Sequence, residues 1–410
     1  MRYVVIGNSA AAVGCVEGIR SVDSEGEIVL LSREKQHTYS RPLISYLLCG
    51  KTDRQRMRYR PDDFYERICC DFRPGVSACA IDPQRKTVLT DAGDTLSYDR
   101  LLVATGSRPF VPPMDGLEQV EKKTAFMSLD DADYLERNLT PDSRVLIIGA
   151  GLIGLKCAEG ITGRCASITV VDLADRILPS ILEADAAGMV QAHIEKHGVS
   201  FVLNDSVKCF RSGRAMLNSG RAIEFDLLVL AVGVRPNTDL ISQAGGKANR
   251  GVVTDLFCRT SLQDVYAAGD CAESLDITTG QEKVLALMPN AYMQGHAAGV
   301  NMAGGTERYD CAIPMNAIGF FGLHMLTAGS YVGERYEERK PDGYRLLVTA
   351  DNRLKGFILV GDVARAGIYT SLIRRQTPLD TLDFGRVREK PQLLAFSRAQ
   401  RKQMLGGNPV

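Results

Sequence analysis

The sequence predicts an α/β protein with two parallel, doubly wound units followed by a small α+β segment. Three observations carry this. A strand, a small-residue turn and a helix follow one another twice, at residues 3–19 and 145–159. Apolar runs from Leu101, from Leu227 to Val232 and through Val265-Tyr266-Ala267 each lead into a turn of small residues. A last apolar strand at 354–360 precedes a helical pattern at 366–373. Continuous apolar runs of this kind suit strands covered on both faces.

The second unit is the clearer one. Val145 to Ile148 form its strand, and Gly149, Gly151 and Gly154 stand at G-x-G-x-x-G spacing where the strand gives way to a helix. In this turn the first glycine permits the sharp bend, the second lets a pyrophosphate approach the backbone, and the third lets helix and strand pack closely. The helix N-terminus adds free N–H groups and positive dipole for the phosphates. Asp172 ends the next strand, 172 − 151 = 21 residues after the second glycine. That matches the separation of roughly 20 residues at which an acid accepts hydrogen bonds from a ribose diol. The carboxylate would repel a 2′-phosphate and the next residue is Leu173, so NAD(H) is expected over NADP(H).

The first unit is a degraded copy. After the strand at 3–6 comes Gly7, but Ser9 and Ala12 occupy the second and third glycine positions. Both are small enough to keep the helix close. The next strand ends in Ser32-Arg33-Glu34, without an acid at the expected place. Glu34 reaching back and some other way of holding the ribose both stay open. Further on, the strand tips read Ala104-Thr105-Gly106-Ser107-Arg108-Pro109, Ala231-Val232-Gly233-Val234-Arg235-Pro236-Asn237 and Ala268-Gly269-Asp270. An aspartate just past a strand end can accept a polyol hydroxyl or simply shape a turn.

Composition sets bounds. The 410 residues can bury cores for two or three domains. A 45% apolar and 24% charged composition is ordinary for a globular protein, and the formal net charge of zero gives no electrostatic case for nucleic acid or a membrane surface. No apolar run reaches the roughly 18 residues of a membrane span, and residue 2 leads straight into a strand, so neither a membrane span nor a signal peptide is expected. The 11 cysteines lack CxxC or CxxxxC spacing, which points to reduced thiols and a cytoplasmic location.

Together the motifs resemble the FAD- and NAD-dependent pyridine nucleotide oxidoreductases over about residues 1–305. The resemblance implies two Rossmann-like dinucleotide-binding domains: a discontinuous FAD domain at 1–109 and 234–308, and an NAD domain inserted at 110–233. A small α+β C-terminal domain at 309–380 and a basic tail at 381–410 would follow. It also implies roles. Gly7, Ser9, Ala11 and Ala12 would face the FAD pyrophosphate, Ser32 and Arg33 would touch the same cofactor, and Val76 would meet its adenine through the backbone. Ala104, Thr105, Gly106 and Arg108 would lie beside the flavin nucleotide, with Gly269 and Asp270 on its ribityl or pyrophosphate portion. Gly149, Gly151, Ile153, Gly154 and Asp172 would hold NADH, Glu159 would sit near the nicotinamide carboxamide, and Gly233 would line the same cleft.

The run Tyr39-Ser40-Arg41-Pro42-Leu43-Ile44-Ser45 narrows the resemblance. Disulfide reductases of the family carry CxxxxC here. This chain instead is similar to NADH:rubredoxin oxidoreductases, the flavin part of assimilatory nitrite reductases, and FAD/NAD subunits associated with carbon monoxide dehydrogenase or tungsten aldehyde oxidoreductase. The similarity places Arg41 and Pro42 against the isoalloxazine, where the arginine would stabilise reduced flavin. It implies hydride transfer from NADH and delivery of electrons to an iron-sulfur, ferredoxin-like or rubredoxin-type carrier, with a larger metalloenzyme complex as one setting. The segment 44–50 also resembles single-cysteine NADH oxidases, peroxidases and coenzyme A disulfide reductases. Cys49 comes about a turn and a half of helix later than they would place it, so an inert thiol is expected and a redox-active Cys49 is the alternative.

Other features are ordinary. Lys51, Arg54, Arg56, Arg58 and Arg60 form a basic run, readable as a solvated loop or as a positive rim for an acidic carrier. His193 and His197 lack the Glu of an H-E-x-x-H site, so no metal is expected. Basic residues beyond 385 are readable as a solvated tail or a partner-gripping arm.

Overall fold

The computed structural model describes residues 1–211 and 213–404. The chain forms two compact units. The first comprises Met1–Leu178, Glu195–Leu275 and Glu282–Asp310; the second comprises Pro179–Ile194, Asp276–Gln281 and the residues from Cys311 onward.

The first unit holds two five-stranded parallel sheets. In one, the strands run in the order Val265–Ala267, Arg100–Val103, β1 (Arg2–Ile6), β2 (Glu27–Ser32) and Cys70–Pro74. Every neighbouring pair is parallel. Tyr3, Val4, Val5, Val29 and Leu30 are fully buried, as expected of strands covered on both faces. The strand order reverses beside β1, and ligands of such sheets bind at that switch point, beyond the carboxyl ends of the strands. The other sheet runs Val199–Val202, Ser167–Val171, Arg144–Ile148, Leu227–Leu230 and Lys123–Thr124, again all parallel. An antiparallel ribbon of Ser107–Pro109 with Val234–Pro236 carries the chain between the two sheets. Two three-stranded meanders complete the unit, and one of them places Ile81, Val88 and Leu96 in the core under the first sheet.

Helix α1 (Ala10–Arg20) follows β1, and the helix Met288–Met302 follows the strand that ends in Gly269-Asp270. These two helices meet backbone to backbone through glycines. A Cβ on Gly14 would stand 2.2 Å from the Tyr292 carbonyl oxygen, and one on Gly18 would stand 2.3 Å from that of His296. In return, a Cβ on Gly295 would meet the Ala11 oxygen at 2.0 Å and one on Gly299 the Cys15 oxygen at 2.1 Å.

The second unit carries a five-stranded antiparallel sheet in the order Met315–Phe320, Leu323–Gly329, Arg353–Val360, Gly343–Ala350 and Glu334–Lys340. The helix Ala366–Arg374 packs its buried Tyr369, Leu372 and Ile373 into the same core as Phe357 and Leu359. Part of the basic C-terminal stretch belongs to that core, since Val387, Ala395 and Phe396 are buried there. Tyr369 donates to the Val387 carbonyl at 2.9 Å, and Arg345 donates to the carbonyls of Arg388 and Glu389 at 2.7 and 2.6 Å. A charge count sees the arginines of this stretch but not the interleaved apolar residues that anchor it. Residues 405–410 lie outside the described residues.

The glycine contacts make a testable claim. Gly295→Ala should destabilise the first unit by roughly 1–3 kcal/mol through overpacking, even though alanine favours a helix by about 1 kcal/mol over glycine. Gly188→Ala, in the helix Ala184–Glu195 with nothing within 4 Å of the added carbon, should be neutral or stabilising. Denaturant unfolding of the two variants distinguishes them, and equal stability of both would contradict the packing described.

Candidate functional site

At the switch point of the first sheet lies a crevice of about 980 Å³. Gly7, Ser9 and Ala11 form its floor where β1 turns into α1, and Ser32, Arg33, Glu34 and Val76 line the side beyond β2. Arg41 and Pro42 line it too, as do Ala104, Thr105, Gly106 and Arg108 beyond the tip of the strand Arg100–Val103, together with Gly269 and Asp270. The structure therefore gathers from six separate stretches nearly all the residues expected around a flavin nucleotide. Ala12 is the exception. It is fully buried and does not line the crevice, because it lies on the buried face of the first turn of α1.

The floor suits a dinucleotide. Gly7 has φ +122°, and a Cβ there would stand 2.2 Å from the Ala104 carbonyl oxygen, so the turn presents bare backbone. Two residues of the wall, Gln36 and His37, carry buried side-chain atoms, Oε1 and Nε2, with no hydrogen-bond partner. Such orphaned groups are costly unless a ligand or a small shift supplies a partner. Asp270 is a half-buried carboxyl just past a strand tip. Burial pushes its pKa up, while the Arg41 guanidinium and a hydrogen bond with Ser107 pull it back.

Several expected contacts have a second occupation. The Val76 N–H donates to the Ser32 carbonyl at 2.9 Å, so a backbone contact to an adenine would use the Val76 carbonyl. Arg108 donates to Asn237 Oδ1 at 2.8 Å and pairs with Asp239 at 2.9 Å. Thr105 and Asn237 lock together reciprocally: the threonine hydroxyl donates to the Asn237 carbonyl and the Asn237 amide donates to the Thr105 carbonyl, both at 2.8 Å. Asn237 was visible only as the end of a strand-tip motif, and its role in pinning the ribbon needed the fold.

Arg41 stands at the start of a short 3-10 turn, Arg41–Leu43, that leads into α2 (Ile44–Leu48). Its guanidinium pairs with Glu34 at 2.5 Å and donates to the Tyr39 hydroxyl at 3.1 Å and to the Met127 carbonyl at 3.2 Å. Burial works against the charged form, but Tyr39 and Glu34 outweigh it and hold the guanidinium's pKa above its ordinary value.

The second glycine turn is arranged as its spacing implied. Gly149 has φ +112° and a Cβ there would meet the Ala231 oxygen at 2.2 Å, while a Cβ on Gly154 would meet the Gly149 oxygen at 2.0 Å. Gly151 and Gly233 face open space, with nothing within 4 Å of an added carbon, so the carboxyl end of this sheet has room for a ligand. Ile153 is half-buried in the first turn of the helix Leu152–Ile161. Asp172 Oδ2 accepts from the Ala150 N–H at 2.6 Å and Oδ1 from the Ala174 N–H at 2.8 Å, so the acid also shapes the turn between the glycines. Each carboxylate oxygen has a further lone pair for a hydroxyl.

Glu159 is 8% exposed on that helix. Its carboxylate pairs with Lys156 and lies 3.9 Å from Lys51. Lys156 Nζ sits 4.4 Å from the centre of the Tyr46 ring. Gly160 makes this junction, since a Cβ on it would stand 3.0 Å from the Ser45 carbonyl oxygen of α2. The lysine partners of Glu159 were not anticipated, although the i, i+3 spacing from Lys156 was legible.

Cys49 is half-buried, with its sulfur 3.5 Å from the Tyr46 carbonyl, and it does not line the crevice. None of the 11 cysteines forms a disulfide. The basic run is largely compensated: Arg54 pairs with Asp133, Arg56 with Asp53, Arg58 with Asp62 and Arg60 with Glu17. His193 Nε2 lies 3.2 Å from the Phe321 carbonyl, and no metal-binding cluster occurs among the described residues. Nor, among them, is any helix long and apolar enough to cross a membrane.

A family model described as pyridine nucleotide-disulphide oxidoreductase matches residues 1–295. The chain is 30% identical over 394 residues to the NADH-dependent phenylglyoxylate dehydrogenase subunit epsilon of Aromatoleum evansii, covering 93% of each. It is 30% identical over 310 residues to a rubredoxin-NAD(+) reductase of Pseudomonas putida, covering 74% of this chain and 80% of that one. With an NAD(P)H nitrite reductase of Bacillus subtilis it shares 30% identity over 92% of its own length, and it spans about half, 48%, of that protein. The solved NAD-dependent persulfide reductase from A. fulgidus matches with a TM-score of 0.85 and 27% identity, over 94% of this chain and 79% of that one. The chain belongs to the pyridine nucleotide-disulphide oxidoreductase family and is an NADH-dependent flavin oxidoreductase.

Proposed function

We propose that this protein carries electrons between NAD(H) and an iron-sulfur or rubredoxin-type carrier protein, in one setting as the NADH subunit of a larger redox complex. The observation that carries this reading is the crevice wall itself. Arg41 and Pro42 stand where disulfide reductases would need a cysteine pair, and among the described residues only Cys79 lines the crevice, on the stretch with Val76. Without a dithiol beside the flavin, the electrons leave to something outside the chain. Relatives named for rubredoxin and for a multisubunit dehydrogenase support that reading. The proposed compartment is the cytoplasm, on the strength of 11 cysteines that form no disulfide.

The residue roles follow. Bound FAD supplies the capacity to take two electrons together and release them singly. Gly7, Ser9, Ala11 and the start of α1 offer bare backbone and helix N–H groups to its pyrophosphate. Asp270 accepts from a polyol hydroxyl, and Thr105 and Gly106, pinned by Asn237, back the nucleotide. Gly149, Gly151, Ile153 and Gly154 receive NADH, Asp172 accepts from its ribose, and Glu159 orients the nicotinamide end. We assign residues 1–109 with 234–308 to the FAD domain, 110–233 to the NAD domain and 309–380 to the C-terminal domain. No side-chain acid or base is required; positioning and exclusion of water carry the chemistry.

Two outcomes are expected. Cys49→Ser should retain NADH-driven reduction of a rubredoxin or viologen acceptor, measured anaerobically; its loss would favour a single-cysteine NADH oxidase, peroxidase or disulfide reductase. Asp172→Ala should cut the preference for NADH over NADPH by roughly tenfold or more, the scale of a charge-assisted hydrogen bond. An unchanged ratio of kcat/KM values would contradict the ribose assignment.

A further inference from the structure

Glu34 stood open as one candidate for the FAD ribose. In the structure it is committed elsewhere. Its Oε1 pairs with Arg41 at 2.5 Å and its Oε2 accepts from the Tyr39 hydroxyl at 2.7 Å. The same hydroxyl accepts from Arg41 at 3.1 Å and from the Leu129 N–H at 3.1 Å, so its one donor and two acceptor sites are all used. Arg41, Glu34 and Tyr39 thus close a ring of charge-assisted hydrogen bonds, with relative side-chain exposure of 38% for Arg41 and 19% for Glu34 and with Tyr39 buried. The ring is tied down at both ends. Ser32 donates its hydroxyl to the Glu34 carbonyl at 2.7 Å, and Arg41 donates to the Met127 carbonyl at 3.2 Å, just before the helix Leu129–Asn138.

We infer that Glu34 is the counter-ion and positioning residue of Arg41 rather than a ribose ligand, and that this pair, held by Tyr39, sets the reduction potential of the bound flavin. An unmasked guanidinium beside a flavin favours the added electron density of the reduced state. A carboxylate at hydrogen-bond distance offsets most of that field and fixes where the guanidinium points. Asp270 is the other acid that acts on Arg41 within the crevice. Two carboxyl groups therefore act on the arginine, and the one it bonds to directly governs its effective charge. This rests on the reading that FAD occupies the crevice with its ring beside Arg41 and Pro42.

The test is the two-electron midpoint potential of the holoprotein, measured by anaerobic dye-coupled titration. Glu34→Gln should shift the equilibrium toward reduced flavin about tenfold, which for a two-electron couple is about 30 mV upward. Arg41→Met should lower the potential, and adding Glu34→Gln to Arg41→Met should then produce no further rise. An equal rise in both backgrounds would show that Glu34 acts on the flavin directly, and no rise in either would show that it does not act at all; both overturn the inference. If Arg41→Met itself leaves the potential unchanged, the placement of the ring beside Arg41 fails instead. Should Glu34→Gln not retain FAD, Tyr39→Phe, which keeps the carboxylate but frees one guanidinium contact, should shift the potential in the same direction by less; an unchanged potential there would contradict the inference.

Discussion

The glycine-to-backbone contact between α1 and the helix Met288–Met302 is the constraint on which the crevice depends. The two helices lie far apart in sequence and on either side of the second parallel sheet, yet Gly295 and Gly299 let them touch main chain to main chain. The first helix begins at the Gly7–Ala11 turn, and the other follows the strand tip at Gly269 and Asp270. Their contact therefore brings the tip acid to the same crevice as the Gly7–Ala11 turn. Gly269 shows how close the fit is: a Cβ on it would stand 2.9 Å from that of Ala11. Its N–H is taken by the Gln294 side chain at 2.8 Å, from the same helix that closes the domain. Larger residues at these positions would separate the two halves of the site before altering any group that touches a cofactor.

A second set of interactions fixes the charges. The Thr105–Asn237 lock holds the ribbon where the chain passes between the sheets, and Arg108 is drawn to Asp239 on the same side. Arg41 is held by Glu34 and Tyr39, and Glu159 by its lysine partners. Each ionisable group expected at the chemistry is thus paired within the protein. That suits a site whose work is to orient cofactors and tune their electronics rather than to shuttle protons. The compensated arginines between 54 and 60 carry the same lesson on the surface, where exposed pairs add little stability but cancel a local field.

Much of this was legible in the sequence, and the gaps have physical reasons. The glycine spacings, the apolar strand runs and the acids at strand tips are local patterns, so β1, β2, both nucleotide turns and Asp172 were readable directly. Ala12 was misplaced because small size alone does not say whether a residue faces a ligand or the helix interior. The G-x-x-x-G spacings at Gly14 and Gly18 and at Gly295 and Gly299 were present, but only contact between distant helices gives them meaning. Glu34 was ambiguous because a carboxylate can face a ribose or a guanidinium. Its partner lies seven residues on, across a turn whose shape no local rule specifies. The pairing of the basic run was hidden for a related reason, since Asp133 and Glu17 are distant in the chain and adjacent in space.

The central claim is that the chain holds a flavin and no further redox centre, so its electrons must pass to an acceptor outside the chain. Anaerobic titration of the FAD-loaded protein with NADH tests this most directly. The account predicts that one equivalent of NADH per FAD completes the reduction, with no thiol becoming newly titratable. Consumption of about two equivalents, the signature of a flavin backed by a redox-active sulfur centre, would contradict it.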